Sequence, residues 1–283
     1  MSRVSKPFYL LAFLSSALAS FGAESHGVAP SAEAFFHIGP LPVTNSMVSS
    51  WVVAAVLIVV IRFAIGKNSL VPSRGQAVVE NLVQGVLDLT GPIVGGRVAR
   101  QTFPLLVGLF TFILIQNWSG LFPGVGTIYY QGVEFVRPGN ADMNETVALA
   151  LVSFVGWLYF IFRYAGAKVI LHDIFGNKAN KKDIPAVIYY FLFVVFFAVG
   201  LIEIVSIIFR PVSLSFRLFG NVFGGENLLH AMSGLSRWGL PIPFYFLELL
   251  IGFVQALVFT LLVSVYIGLI CNHDDAEAHG EKH

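Results

Sequence analysis

The sequence predicts an all-α, polytopic membrane protein with an amphipathic helix lying on the membrane surface beside its spans. Three observations lead there. Of 283 residues, 17 are Lys or Arg and 16 Asp or Glu, 12% in all, against roughly 25% in soluble domains. The hydrophobic fraction is 56% and Phe alone occurs 27 times, more apolar surface than a soluble fold of this length can hide. The charges also cluster between apolar runs long enough to cross a bilayer. A net charge of +1 leaves no basic field for nucleic acid. One cysteine, Cys271, excludes an internal disulfide and any cysteine metal cluster.

The first element, residues 1–23, has the layout of a secretory signal. Arg3 and Lys6 precede a short apolar run, Phe8 to Ala19, and small residues Ala17, Ala19 and Ala23 follow the pattern of a cleavage site. Twelve apolar residues are too few for a helical span, which needs roughly 20; a short interfacial segment is the alternative. Residues 24–46, polar and small with Pro30, Pro40 and Pro42, form an exported lead-in rather than a domain. A single membrane domain over 47–271 follows.

Its first span is about 47–66. Arg62, Lys67 and Arg74 at its end place that end in the cytoplasm by the positive-inside rule. Over 75–94, Gln76, Glu80, Gln84 and Asp88 recur every four residues, while Val78, Val79, Leu82, Val83, Val86 and Leu87 fill the other face. That period makes an amphipathic helix, placed on the cytoplasmic surface by flanking Arg74, Arg97 and Arg100. The second span, 103–122, closes on Asn117, Trp118 and Pro123. Residues 124–145, with Arg137 against Glu134, Asp142 and Glu145, form an outer loop. A span at 146–164 returns inward to a loop holding Lys168, Lys178, Lys181 and Lys182.

The stretch 185–235 is apolar but contains Glu203, Arg210, Arg217 and Glu226. As one helix, about 50 residues extend roughly 75 Å, far more than a bilayer. Either it turns back at Arg210-Pro211 as two spans, or it runs tilted and kinked there; the charge bias of the next turn, which holds only Arg237, does not decide. The final span, 244–270, contains Glu248 and Gln255, and a polar tail, 272–283, follows. Its His273, His279 and His283 belong to a solvated tail, so no metal site is expected. No internal repeat supports an inverted-repeat transporter.

Glu203, Arg210 and Arg217 are spaced by seven residues, two helical turns, and share one face. Insertion scales charge about 2.5–3.5 kcal/mol for an ionised residue at mid-bilayer, and Arg cannot escape by losing its proton. Arg217 therefore needs an anion or a wet cavity. Two readings stand: a buried ion pair holding two helices together, with Glu248 of the last helix as partner, or an ion pathway in which Arg217 meets a mobile carboxylate of another chain. Glu248, Gly252 and Gln255 line one face of the last helix, where Gly252 admits close approach of a neighbour.

The run Arg210-Pro-Val-Ser-Leu-Ser-Phe-Arg217-Leu-Phe-Gly-Asn221, followed by Val-Phe-Gly-Gly-Glu226, closely resembles subunit a of bacterial F-type ATP synthases, whose hallmark is P-x-S-L-x-x-R-L-F-G-N. Pro72, Gln76 and Glu80, the Asn117-to-Pro123 run, Asp142-Met-Asn144-Glu-Thr146, and Gln255-Ala256 extend the resemblance over about residues 35–271. It implies about five crossings plus the interfacial helix, with the long element a tilted helix that forms a hairpin with the final one along a ring of c subunits. It implies the bacterial inner membrane, with the N-terminus periplasmic and the C-terminus cytoplasmic. The further partners are peripheral-stalk b subunits, the whole synthase and membrane lipid; no cofactor and no chemistry of the chain's own are implied.

By this resemblance Arg217 is the residue essential for proton translocation. Glu226, Glu248, Asn221, Gln255, Glu203 and Arg210 line two offset half-channels, and Asp142 and Asn144 are outer-side uptake candidates. Two departures stand out: Glu248 replaces a His of some relatives, and Arg210 a Lys. The rival classes are a self-contained carrier with its own substrate site at Arg217 and a purely structural membrane anchor.

Overall fold

The computed structural model describes residues 32, 34–38, 41–66, 72–122, 125, 129–130, 133–134, 137–164, 166, 186–235 and 239–271. The signal-peptide reading of residues 1–23, the lysine-rich loop at 168–182, Pro123, Arg237 and the tail at 272–283 lie outside them.

Among the described residues there are six α-helices: α1 (Asn45–Ile65), α2 (Arg74–Val94), α3 (Gly96–Ser119), α4 (Met143–Tyr164), α5 (Ala186–Leu235) and α6 (Pro241–Cys271). Each contains a window long and apolar enough to cross a membrane, by length and composition. The arrangement of the described residues is mainly α, with two small antiparallel hairpins, β1 (Ala34–Ile38) with β2 (Leu41–Thr44) and β3 (Tyr129–Tyr130) with β4 (Val133–Glu134). The first hairpin lies within the expected lead-in and ends where α1 begins. Thr44 caps that helix, its hydroxyl accepting from Met47 N at 3.4 Å; such a side chain satisfies an amide with no partner inside the helix. Pro241 opens α6, where a missing amide hydrogen costs nothing.

Five of these helices start and end within three residues of the expected bounds; α3 does not, starting at Gly96, seven residues before the expected 103. α2 carries the expected polar stripe, with Gln76 Nε2 donating to Glu80 at 2.8 Å and Gln84 Nε2 to Asp88 at 2.6 Å. It is the least apolar of the six candidate spans. α5 runs unbroken through Pro211 for 50 residues, so of the two readings of this stretch the single long helix is the one observed. Proline removes one amide donor from the ladder, and a membrane helix tolerates that where neighbours satisfy the freed carbonyl.

The chain packs as two compact units, Met1–Glu80, Phe110–Thr146 and Phe216–Val258 in the first, and Asn81–Leu109, Val147–Ser215 and Phe259–His283 in the second. The second has an apolar core of Val94, Val98, Leu106, Ile161, Phe259 and Ile267, all essentially inaccessible. The core of the first mixes Ile113, Ala141, Leu218 and Ala256 with buried polar groups: Ser46, Gln116, Asn117, Asn140, Asp142 and Gln255. The outward surfaces are apolar. On α1, Trp51, Val56, Ile58, Val60 and Phe63 are all exposed, Phe63 by 82%. A water-facing helix does not present such a surface; a lipid-facing one does.

Candidate functional site

Arg217 lies on α5 and is exposed. Among the described residues it has neither an ion-pair nor a hydrogen-bond partner. The ion-pair reading of Arg217 with Glu248 is therefore not what the structure contains. One turn further on, Asn221 Nδ2 donates to Gln255 Oε1 of α6 at 2.6 Å. Gln255 is 4% exposed, and its Nε2 is buried with no acceptor among the described residues. These two side chains join α5 to α6 beside the arginine.

Glu226 is half-buried, as is Glu248. The Glu248 carboxylate occupies the space where a side chain at Gly225 would stand, so it rests against the residue preceding Glu226. The expectation that Gly252 admits a close neighbour is met by α3. Asn117 Nδ2 donates to Gly252 O at 3.0 Å, and Trp118 Nε1 to Leu249 O at 3.1 Å. An alanine Cβ at 252 would stand only 3.1 Å from that of Asn117. Asn117 is buried and points its amide at the final helix.

Glu203 and Arg210 fall in the second unit. Arg210 donates to Glu203 Oε1 at 2.6 Å, and its guanidinium lies 4.8 Å from the Tyr266 ring centroid and 5.8 Å from that of Trp157. Trp157 Nε1 in turn donates to Tyr266 O at 2.9 Å. The seven-residue spacing predicted that Glu203 and Arg210 share a face; the structure adds that they pair and that aromatic rings enclose the cation.

The outer-side candidates behave differently from each other. Asp142 is 3% exposed; its Oδ2 accepts from Ser46 Oγ at 2.7 Å and its Oδ1 from Asn144 N at 3.1 Å, which caps α4. Asn144 itself is exposed. Arg137, expected as an ordinary loop charge, is 3% exposed and gives its guanidinium to Ala141 O at 3.3 Å.

Beside them sits a cluster absent from the sequence reading. Ser50 Oγ contacts Glu145 Oε2 and, at 2.8 Å, Ser46 O. Gln116 Nε2 donates to Ser50 Oγ at 2.6 Å and to Glu145 Oε1 at 2.9 Å. The signals for it were a Ser46/Ser50 pair four apart at the start of an apolar run and a Gln116-Asn117 pair at the end of another.

Long apolar helices that hold Glu203, Arg210, Arg217, Glu226 and Glu248 define the class: a multi-pass helical membrane protein with ionisable groups within its apolar helices. The profile of the ATP synthase A chain family matches residues 47–268. The chain is 33% identical over 233 residues to ATP synthase subunit a 2 of Bradyrhizobium sp. (strain BTAi1), covering 82% of this chain and 91% of that one. It is 32% identical over 232 residues to ATP synthase subunit a of Moorella thermoacetica, covering 82% and 93%. The chain belongs to the ATP synthase subunit a family, of bacterial type.

Proposed function

We propose that this chain is the stator subunit that conducts protons to and from a ring of c subunits, coupling ion flow to ATP synthesis. The observation that carries the reading is Arg217: a fixed positive charge, exposed on an apolar helix, with no counter-charge among the described residues. Leaving such a charge in lipid is costly. A carboxylate on a neighbouring chain relieves that cost, and a ring that presents one carboxylate after another does so repeatedly.

In this reading protons enter an outer half-channel lined by Asn221, Glu226, Glu248 and Gln255, with Asp142 and Asn144 on the outer approach. They neutralise a ring carboxylate, travel with the ring, and leave by an inner half-channel at Glu203 and Arg210. Arg217 stands between the two. It favours the ionised ring carboxylate beside it and repels a proton that would pass straight through, so flux has to turn the ring. Each charge crossing 100 mV releases about 2.3 kcal/mol. The partners are the c ring and the peripheral-stalk b subunits, and the site is the bacterial inner membrane. Five crossings, with α2 on the cytoplasmic surface as its polar stripe favours, put the N-terminus in the periplasm and the C-terminus in the cytoplasm.

The test is Arg217→Ala in the intact synthase, reconstituted in liposomes. ATP-driven proton pumping should disappear while the complex still assembles. Pumping at the parental rate would sink the reading. Transport by the isolated chain, without a ring, would favour the self-contained carrier.

A further inference from the structure

Glu145 and Ser50 form a side-chain pair that the reading above does not use. Ser50 Oγ has three neighbours: Ser46 O, Gln116 Nε2 and Glu145 Oε2. A hydroxyl has one hydrogen to give and two lone pairs with which to accept. Ser46 O only accepts, and Gln116 Nε2 only donates. All three contacts hold at once when Ser50 gives its hydrogen to Ser46 O and accepts from both others, which puts the hydrogen of the Ser50–Glu145 contact on Glu145. When that proton leaves, the Ser50 O–H needs only to rotate from Ser46 O to the Glu145 carboxylate. Gln116 Nε2 still donates to Glu145 Oε1, and Ser46 O keeps its place as a helix acceptor. The site thus has two protonation states that differ by one hydroxyl rotation.

Its surroundings suit a relay. Gln116 is fully buried, and its Oε1 has no donor among the described residues. The adjacent Asn117 accepts from Asn140 at 2.7 Å and donates to Gly252 O of α6, between Glu248 and Gln255 in sequence. On the other side, Thr44 Oγ1 lies 2.9 Å from Ser46 Oγ, which donates to Asp142. Hydrogen-bonded polar groups thus join the starts of α1 and α4 to Gln116 at the end of α3, and Asn117, next to it in sequence, reaches the helix that bears Glu248. Among the described residues the other charged groups of this region are Asp142 and Arg137, both in the segment leading into α4; α1 brings the polar Asn45, Ser46, Ser49 and Ser50, and α3 brings Gln116 and Asn117.

We infer that Glu145, seated on Ser50 and Gln116, is a further proton-carrying residue of the outer half-channel, taking protons from water on the outer side and passing them towards Glu248 and Glu226. The inference rests on the proposed function. Its test is ATP synthesis by the reconstituted synthase under an imposed gradient, with outer pH varied while inner pH and membrane potential are held. Glu145→Gln should move the profile of rate against outer pH to lower pH by about one unit, the coupling at which two sites cease to titrate independently. Ser50→Ala should move it the same way by less. Glu145→Asp, which keeps an ionisable group, should stay near the parental profile.

A Glu145→Gln profile that superimposes on the parental one overturns the inference. So does an Asp variant displaced as far as the Gln variant, which assigns Glu145 a purely structural part. If the Gln variant fails to assemble, Ser50→Ala decides in the same way, a coincident profile overturning the inference and a shifted one upholding it. Arg217→Ala, run alongside, separates the two levels. Synthesis lost there with an unmoved Glu145→Gln profile defeats this inference alone, whereas synthesis surviving there defeats the reading beneath it.

Discussion

Asn221 donates to Gln255 at 2.6 Å and so ties α5 to α6 one turn from Arg217. Interhelical hydrogen bonds of this kind in membranes contribute about 0.6 kcal/mol on average and at most about 1.7. A double-mutant cycle with Asn221→Ala and Gln255→Ala should return a coupling in that range from the denaturation midpoints of the purified synthase. Strictly additive losses would mean that the bond contributes nothing.

Arg210 is held mainly by rings and only secondarily by its carboxylate. The Glu203 side chain is 45% exposed and that of Arg210 16%, so the ion pair is partly screened and worth at most about 1 kcal/mol. Each cation–π contact adds about 0.5–2 kcal/mol, and the stem of Arg210 lines a small apolar cavity with Pro211, Leu214, Val263 and Tyr266. Arg210→Ala should therefore destabilise the synthase more than Glu203→Gln, by thermal denaturation of each variant. The reverse order would show that the pair, not the aromatic shell, secures the cation.

Hydropathy and charge bias made the helices legible because their period and length are local properties. The heptad of Glu203, Arg210 and Arg217 was legible for the same reason. The continuity of α5 was not, because proline ends a helix in water far more readily than inside a membrane protein. The buried cluster was hidden too. Ser50 and Glu145 lie 95 residues apart, and Asn117 and Gly252 135, so each residue alone reads as an interfacial or loop group. Asp142 entered as a motif match; its burial and its bond to Ser46 depend on how α1 and α4 meet, which no local pattern encodes.

Two adjacent glycines separate a helix-propensity effect from a contact with Glu248. A Cβ at Gly224 meets nothing within 4 Å, whereas one at Gly225 runs into the Glu248 carboxylate. Both Gly→Ala changes gain roughly 1 kcal/mol of helix propensity. If Glu248 carries protons where it now rests, Gly225→Ala should depress ATP-driven pumping and Gly224→Ala should leave it near parental. Equal rates in the two variants would show that the position of Glu248 against Gly225 does not matter to transport.

Gly139 offers the same comparison for the cluster around Glu145. It lies in the turn before α4 and is buried. A Cβ there would collide at once with the Glu145 carboxylate, the Gln116 amide and the Ser50 hydroxyl. Overpacking at a filled site costs typically about 1–3 kcal/mol, and here the displaced groups are polar, so their bonds to one another break as well. At Gly108, within α3, an added Cβ meets nothing within 4 Å. Gly139→Ala should thus lower the denaturation midpoint of the synthase clearly below that of Gly108→Ala. It should also move the outer-pH profile of ATP synthesis in the direction set by Glu145→Gln, because it removes the carboxyl group from Ser50 without removing the carboxyl group itself. A lowered midpoint with an unmoved profile would mean that the cluster stabilises the fold and carries no protons.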